Sequence, residues 1–263
     1  MVVKSGGIIM LYIKNGRTPN IVRSKLKKIV DSKEWKQIND NDIAKLREYF
    51  DNIDFKDDLR KNLCEKQHGI CAYCMRKINY QDVRNVKIEH FYPISKYKGK
   101  VFDYNNYLLV CDGGTNSELN YGDKRVLCCD SSKGNKEIEI SPFVKCHMEH
   151  IRYNKYGKIY YSDKSEKNYA DNRNFEINNI LKLNGEWSEK ENRTLIDTST
   201  NIVSKRQATY QATISYIQRL EKKGKHIMRD TIIEKINSLE KSSEYEEFIG
   251  VALFVLKRKL KQI

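Results

Sequence analysis

The sequence lacks any long apolar run. No window reaches the roughly 18 continuous apolar residues that a membrane-spanning helix needs, and the run from Ile8 to Ile13 is too short for the apolar part of a signal segment. Neither an internal repeat nor a long disordered tract is visible. These absences argue against a membrane protein, and we expect a cytoplasmic protein without a membrane partner.

Acidic residues are outnumbered in this chain. Its 263 residues include 35 Asp and Glu against 49 Lys and Arg, for a net charge of +14. Such a surplus favours polyanionic partners, because basic groups release counterions when they bind nucleic acid. A Lys-rich composition can equally reflect genome bias, so the charge supports a nucleic-acid partner without establishing it.

The seven cysteines are odd in number, and a reducing cytosol does not favour a disulfide framework. The clustered cysteines are better explained as metal ligands: Cys71 and Cys74 form a CxxC pair, and Cys111 with Cys129 supplies a second pair. The wide gap within the second pair leaves Cys128 as an alternative to Cys129. We prefer Cys129 because a polar motif follows it directly. Four thiolates predict a structural zinc with no open position.

A carboxylate and a histidine, Glu89-His90, lie between the two cysteine pairs. A neutral imidazole can take a proton from water near pH 7, which assigns His90 as a general base. Glu89 and Asp130 supply the oxygen ligands that Mg²⁺ or Mn²⁺ prefers. Phosphodiester hydrolysis needs both a base and charge neutralisation. We therefore predict that Glu89, His90 and Asp130 form the catalytic site of a nuclease.

Two further polar residues are candidates for this site. We expect the side-chain amide of Asn106 to pin the segment that follows His90, with Asn105 as the alternative. Lys133 is a candidate phosphate contact, although a solvated lysine is equally consistent with the sequence.

Local patterns also predict secondary structure. Residues 42–63 suggest helix, loop, helix, and the alternation at 86–90 suggests a strand that carries its functional residues near its end. Residues 106–111 fit a strand or a helical turn equally well. Tyr153–Tyr161 has the composition of a hairpin, and helical spacing dominates the remainder of the chain.

The motif resembles that of the HNH, or ββα-metal, nucleases. Glu89-His90 stands where that family has Asp-His or Glu-His, and Asn106 matches the central Asn. Asp130 occupies the last position, where His or Asn is usual. An aspartate still ligates Mg²⁺, so the departure puts the metal preference in doubt rather than the activity.

Within that family, the chain is most similar to the PtuB-like HNH component of Septu-type and retron-associated anti-phage defence systems. The similarity spans roughly residues 60–200. It is carried by Gln67-x-Gly69-x-Cys71-x-Tyr73-Cys74, Glu89-His90-Phe91-x-Pro93, Asn106-Tyr107-Leu108, Cys129-Asp130-x-x-Lys133-Gly134, and Leu183-Asn184 followed by Leu195. The resemblance implies an ABC-type, PtuA-like ATPase subunit as partner. In retron forms it also implies a reverse transcriptase with its RNA-DNA product.

Together these features predict an α+β protein with a zinc-stabilised ββα-metal core. We expect a basic N-terminal arm with helices at 1–60, the HNH nuclease core at 61–145, and a hairpin followed by a mostly helical domain at 146–263. The expected activity is metal-dependent hydrolysis of nucleic-acid phosphodiester bonds. The alternatives are a zinc-stabilised binding module that does not cut, and a stand-alone restriction or homing nuclease.

Overall fold

The computed structural model describes residues 12–118, 126–188, 193–222 and 224–263, so the first eleven residues of the predicted basic arm lie outside the described residues. The described chain combines helices with short antiparallel strand pairs, in agreement with the predicted α+β class. The helices are α1 (Asn20–Asp31), α2 (Lys33–Gln37), α3 (Ile43–Asp51), α4 (Lys56–Lys66), α5 (Cys129–Lys133), α6 (Lys145–Glu149), α7 (Lys167–Phe175), α8 (Ile202–Glu221), α9 (Lys225–Glu240) and α10 (Ile249–Leu260). The strands are β1 (Val86–His90), β2 (Tyr107–Cys111), β3 (Ile151–Tyr153), β4 (Ile159–Tyr161), β5 (Glu186–Ser188) and β6 (Arg193–Ile196).

The helix, loop, helix predicted for residues 42–63 is confirmed by α3 and α4. Asp42 begins α3 by accepting a hydrogen bond from the Lys45 amide at 3.1 Å, which satisfies one of the free amides of the first turn. Leu46 and Phe50 are buried on the same face of α3. Their spacing of four residues directs this face of the helix toward the core.

Strands β1 and β2 form an antiparallel pair at the centre of the predicted core. Val86 lies opposite Cys111 and His90 lies opposite Tyr107. The strand predicted at 86–90 is confirmed, and the ambiguous segment after Asn106 forms a strand rather than a helical turn. Every residue of β2 is buried, which explains why its sequence shows no alternation of polar and apolar residues.

The hairpin predicted at Tyr153–Tyr161 is confirmed by the pairing of β3 with β4. Gly157 adopts φ +76° in the turn, and a Cβ there would lie 2.2 Å from the Val203 carbonyl oxygen. Glycine is therefore required both by the backbone conformation and by the approach of α8. The expectation of a single hairpin in this half was wrong, because β5 and β6 form a second strand pair.

Buried apolar side chains form a contiguous cluster that extends from Ile13 to Leu256. The C-terminal helices join it near the CxxC pair, where the Phe248 amide donates to the Met75 carbonyl at 3.0 Å. Tyr153 packs edge-on against Phe254 of α10. The division into three parts at residues 60 and 145 stays a prediction. Among the described residues, none of the helices is both long enough and apolar enough to span a membrane.

Candidate metal centre and active cleft

Four buried cysteine thiols meet at the end of the β1–β2 pair. The sulfur atoms of Cys71, Cys74, Cys111 and Cys129 all lie within 4.8 Å of one another. The Cys71–Cys129, Cys74–Cys111 and Cys111–Cys129 sulfur separations are 3.9, 3.7 and 3.8 Å. A tetrahedral zinc with Zn–S bonds of about 2.3 Å requires sulfur separations of about 3.8 Å. The four thiols therefore fit a zinc ion closely.

The CxxC turn is fixed to β2 by the fully buried side chain of Gln67. Its amide nitrogen donates to the carbonyls of Ile70 and Leu109 at 3.0 and 2.7 Å, and its oxygen accepts from the Leu109 amide at 2.7 Å. The Cys71 amide donates to the Arg76 carbonyl at 2.8 Å, which closes the turn. Gln67 thus holds the first cysteine pair against the strand that carries Cys111.

The second cysteine pair depends on a close contact between two loops. The Cys128 amide donates to the Gly113 carbonyl at 2.9 Å, and a Cβ on Gly113 would lie 2.1 Å from the Cys128 carbonyl oxygen. Only glycine allows this approach, which brings α5 beside the end of β2. The thiol of Cys129 then joins the cluster, whereas the thiol of Cys128 contacts the Thr200 hydroxyl at 3.7 Å.

Glu89 lies in a buried network of polar side chains. Its Oε1 atom accepts hydrogen bonds from the Lys133 ammonium at 2.6 Å and from the Tyr73 hydroxyl at 3.2 Å. Burial and the nearby charge of Asp130 raise the pKa of Glu89 well above its usual range, and Lys133 partly opposes this shift. Two carboxylates held this close favour binding of a cation.

His90 is held in one orientation and one protonation state. Its Nε2 atom lies 2.9 Å from the Val101 carbonyl oxygen, which can only accept, so Nε2 carries the proton and Nδ1 keeps its lone pair. Phe50 and Tyr107 pack edge-on against the ring. Burial lowers the pKa of His90 to about 4, so the imidazole is neutral at physiological pH.

The segment that follows His90 is fixed by Asn106, which is buried. Its Oδ1 atom accepts from the Tyr92 amide at 2.7 Å, and its Nδ2 atom donates to the Tyr92 and Lys100 carbonyls at 3.0 Å each. Asn105, the alternative, is exposed. The Asn106 side chain therefore pins the segment after His90, while its catalytic importance stays a prediction.

Glu89, His90 and Asp130 line one cleft with a volume of about 340 Å³. The strand end thus presents two consecutive side chains, Glu89 and His90, to the same space, and α5 contributes Asp130 from its first turn. Helix α3 forms another wall with Arg47 and Phe50. An imidazole, two carboxylates and a guanidinium surround a space large enough for a phosphate group.

The structure also corrects the sequence analysis in its details. Lys133 was a candidate phosphate contact with a solvated lysine as the alternative, and the solvated alternative is wrong, because the side chain is fully buried and its ammonium is paired with Glu89. Nothing local in the sequence indicated that α3 would contribute Arg47 to the cleft.

The chain is similar to a retron protein of Escherichia coli. That protein is described as the candidate HNH endonuclease of retron Ec83, and the two sequences are 31% identical over 86 residues. The match covers 30% of this chain and 32% of the relative, so the chain matches about a third of that protein's length. No family model matches the chain.

Proposed function

We propose that this protein is an HNH endonuclease that hydrolyses phosphodiester bonds of nucleic acid and depends on a divalent metal. The observation that carries the proposal is the meeting of His90, Glu89 and Asp130 in one cleft, beside four cysteine thiols at zinc-binding distances. Strand β1 carries Glu89 and His90, helix α5 carries Asp130, and strand β2 lies between them along the chain, which gives the order ββα. The similarity to a retron HNH protein supports the same class of enzyme.

In this proposal His90 is the general base. Its protonated Nε2 is committed to the Val101 carbonyl, so Nδ1 is the atom that accepts the proton of an attacking water. Burial keeps the imidazole neutral, with a pKa of about 4, so the Nδ1 lone pair is unprotonated at physiological pH. Asn106 holds the adjacent backbone, so the ring keeps its direction through the reaction.

Glu89 and Asp130 are the proposed ligands of Mg²⁺ or Mn²⁺. Such hard ions bind one or two carboxylates together with water and phosphate oxygens, and the paired carboxylates of this cleft fit that donor set. A divalent ion held there would neutralise phosphate charge and assist the leaving oxygen.

Zinc has a structural role in this proposal. Cys71, Cys74, Cys111 and Cys129 occupy all four positions of a tetrahedral site, so no position is open for substrate. The ion would join three separate stretches of chain, namely the CxxC turn, the end of β2 and the start of α5. Its loss would separate Asp130 from Glu89.

We further propose that the nuclease acts in the cytoplasm as the effector of an anti-phage defence complex. The similarity to a retron protein supports association with a retron. A reverse transcriptase and its RNA-DNA product are proposed as partners on the resemblance to retron-associated nucleases. An ABC-type ATPase subunit is proposed on the resemblance to PtuB-like nucleases. Co-expression with the neighbouring genes, followed by purification, tests both partners, and a chain that purifies alone and cuts freely would contradict the complex.

The activity is tested by incubating the zinc-loaded chain with plasmid DNA, single-stranded DNA and RNA. Mg²⁺ or Mn²⁺ should support cleavage of at least one of these, and a chelator that removes them should stop it. Binding to the same nucleic acids without cleavage under every metal condition would instead support the binding-module alternative.

A further inference from the structure

Helix α3 contributes a cation to the active cleft from outside the β1, β2 and α5 elements. Arg47 and Phe50 both line the cleft with Glu89, His90 and Asp130. Phe50 packs edge-on against the His90 ring with a centroid separation of 4.4 Å, and this contact sets the distance between α3 and His90. Arg47 lies one turn earlier on the same helix, so its guanidinium is held over the cleft.

The other cations near the cleft face carboxylates. The Lys133 ammonium lies 2.6 Å from Glu89, and the Lys87 ammonium lies 4.0 Å from Asp130 and 2.9 Å from the Ser131 hydroxyl. Arg47 differs from both. In the described part of the chain its partner is a neutral amide, the Asn135 side chain, whose oxygen accepts from Nη2 at 2.7 Å.

The contact with Asn135 uses one edge of the guanidinium. An arginine has five N–H donors in a planar fork, so several of them stay available for another acceptor. Asn135 itself lines the cleft, next to Gly134 at the end of α5. The contact therefore orients Arg47 across the cleft mouth, and among the described residues no carboxylate forms a salt bridge with its guanidinium.

We propose that Arg47 binds a nonbridging oxygen of the scissile phosphate or its neighbour, an inference that rests on the proposed nuclease function. A phosphate diester carries one negative charge and two nonbridging oxygens, which match the fork of a guanidinium. Arg47 is thus a substrate-binding residue supplied by the N-terminal helices. It makes α3 part of the active site rather than only a support for His90.

The matched control is Lys45, which lies two residues before Arg47 on α3. Both side chains are exposed, but Lys45 is not among the residues that line the cleft. Replacing either residue with alanine removes one positive charge from the same helix, and alanine is a good helix former, so α3 should persist. The two variants therefore differ in position rather than in charge.

Binding is measured first, with a short DNA duplex and the non-cutting background His90→Ala. The logarithm of the association constant falls linearly with the logarithm of salt concentration, with a slope of about −0.9 for each phosphate contact. Adding Arg47→Ala should reduce the magnitude of this slope by about 0.9, while adding Lys45→Ala should leave it nearly unchanged. Equal slopes in the two variants would overturn the proposal.

Cleavage is then measured in chains with His90 intact. Arg47→Ala should lower kcat/KM about 10- to 100-fold, which corresponds to the loss of a hydrogen bond to a charged group. Arg47→Lys should recover part of the loss, because lysine keeps the positive charge but lacks the planar fork of donors.

Cleavage by Arg47→Ala at the wild-type rate would overturn the proposal without affecting the nuclease assignment. A wild-type chain that cuts nothing would refute the nuclease assignment, and the binding slopes would still decide whether Arg47 contacts phosphate.

Discussion

The Lys133 ammonium lies 2.6 Å from the Glu89 Oε1 atom, and both side chains are almost completely buried. Lys133 comes from the last turn of α5 and Glu89 from the penultimate position of β1, so the ion pair joins the helix to the strand. An ion pair in this environment costs considerable desolvation energy, and removing either partner leaves a buried charge. Lys133 therefore stabilises the arrangement that brings Glu89 and Asp130 together.

Replacing Lys133 with methionine should destabilise the zinc-loaded protein by about 3 kcal/mol, because Glu89 loses its counter-charge. The loss should depend on pH. Burial raises the pKa of Glu89 in the folded protein above its pKa in the unfolded chain, so the folded state binds the Glu89 proton more tightly. The free energy of unfolding therefore falls as the pH rises from the unfolded-state pKa to the folded-state pKa. Without Lys133 this shift grows, so urea denaturation should show a larger loss at about pH 8 than at about pH 5.

Lys136→Met is the control for that measurement, because Lys136 is an exposed lysine in the same region of the chain. A substitution at an exposed position should change the free energy of unfolding by less than about 0.5 kcal/mol. Equal destabilisation by the two variants would show that the Lys133–Glu89 pair has no special importance.

The sequence predicted elements that are specified locally. Strand β1 and the Tyr153–Tyr161 hairpin follow from alternation and turn residues, and both are present. The residues of β2 could not be assigned, because a short apolar run carries no periodicity. The β5–β6 pair was missed for a related reason. Its three-residue strand at Glu186–Ser188 is too short for a pattern to emerge.

The candidate site was predictable where ligand types and spacings are distinctive, as with the four cysteines. The contacts that complete it join residues far apart in the chain. Lys133 and Glu89 are separated by 44 positions, and Arg47 and Asn135 by 88. Such contacts arise from the packing of α3 and α5 around β1, and no short-range pattern encodes that packing.

Cys129→Ser should abolish zinc binding, whereas Cys128→Ser should not. The thiol of Cys129 is one of the four clustered sulfurs, whereas that of Cys128 is not among the four and contacts the Thr200 hydroxyl. Zinc released by acid and measured with a chromogenic chelator should approach about one ion per chain in the wild type and in Cys128→Ser. Loss of the structural ion should also destabilise Cys129→Ser by several kcal/mol. The reverse pattern between the two variants would assign the zinc to Cys128.

Asn106→Ala should both destabilise the protein and slow cleavage. The substitution removes three partly buried hydrogen bonds to the segment after His90, at about 1 kcal/mol each. Asn105→Ala removes an exposed amide from the adjacent position and should be nearly neutral. Thermal unfolding and cleavage rates measured on both variants check this, and similar effects of the two substitutions would contradict the role given to Asn106.

The most direct test of the account is metal-dependent cleavage by the His90→Ala variant. Its rate should fall by about 10² to 10⁴, the usual contribution of a general base, while zinc content and nucleic-acid binding stay unchanged. His226→Ala is the control, since the His226 side chain is 91% exposed and should be dispensable. A folded, zinc-loaded His90→Ala variant that cuts at the wild-type rate would contradict the assignment of His90 as the catalytic base.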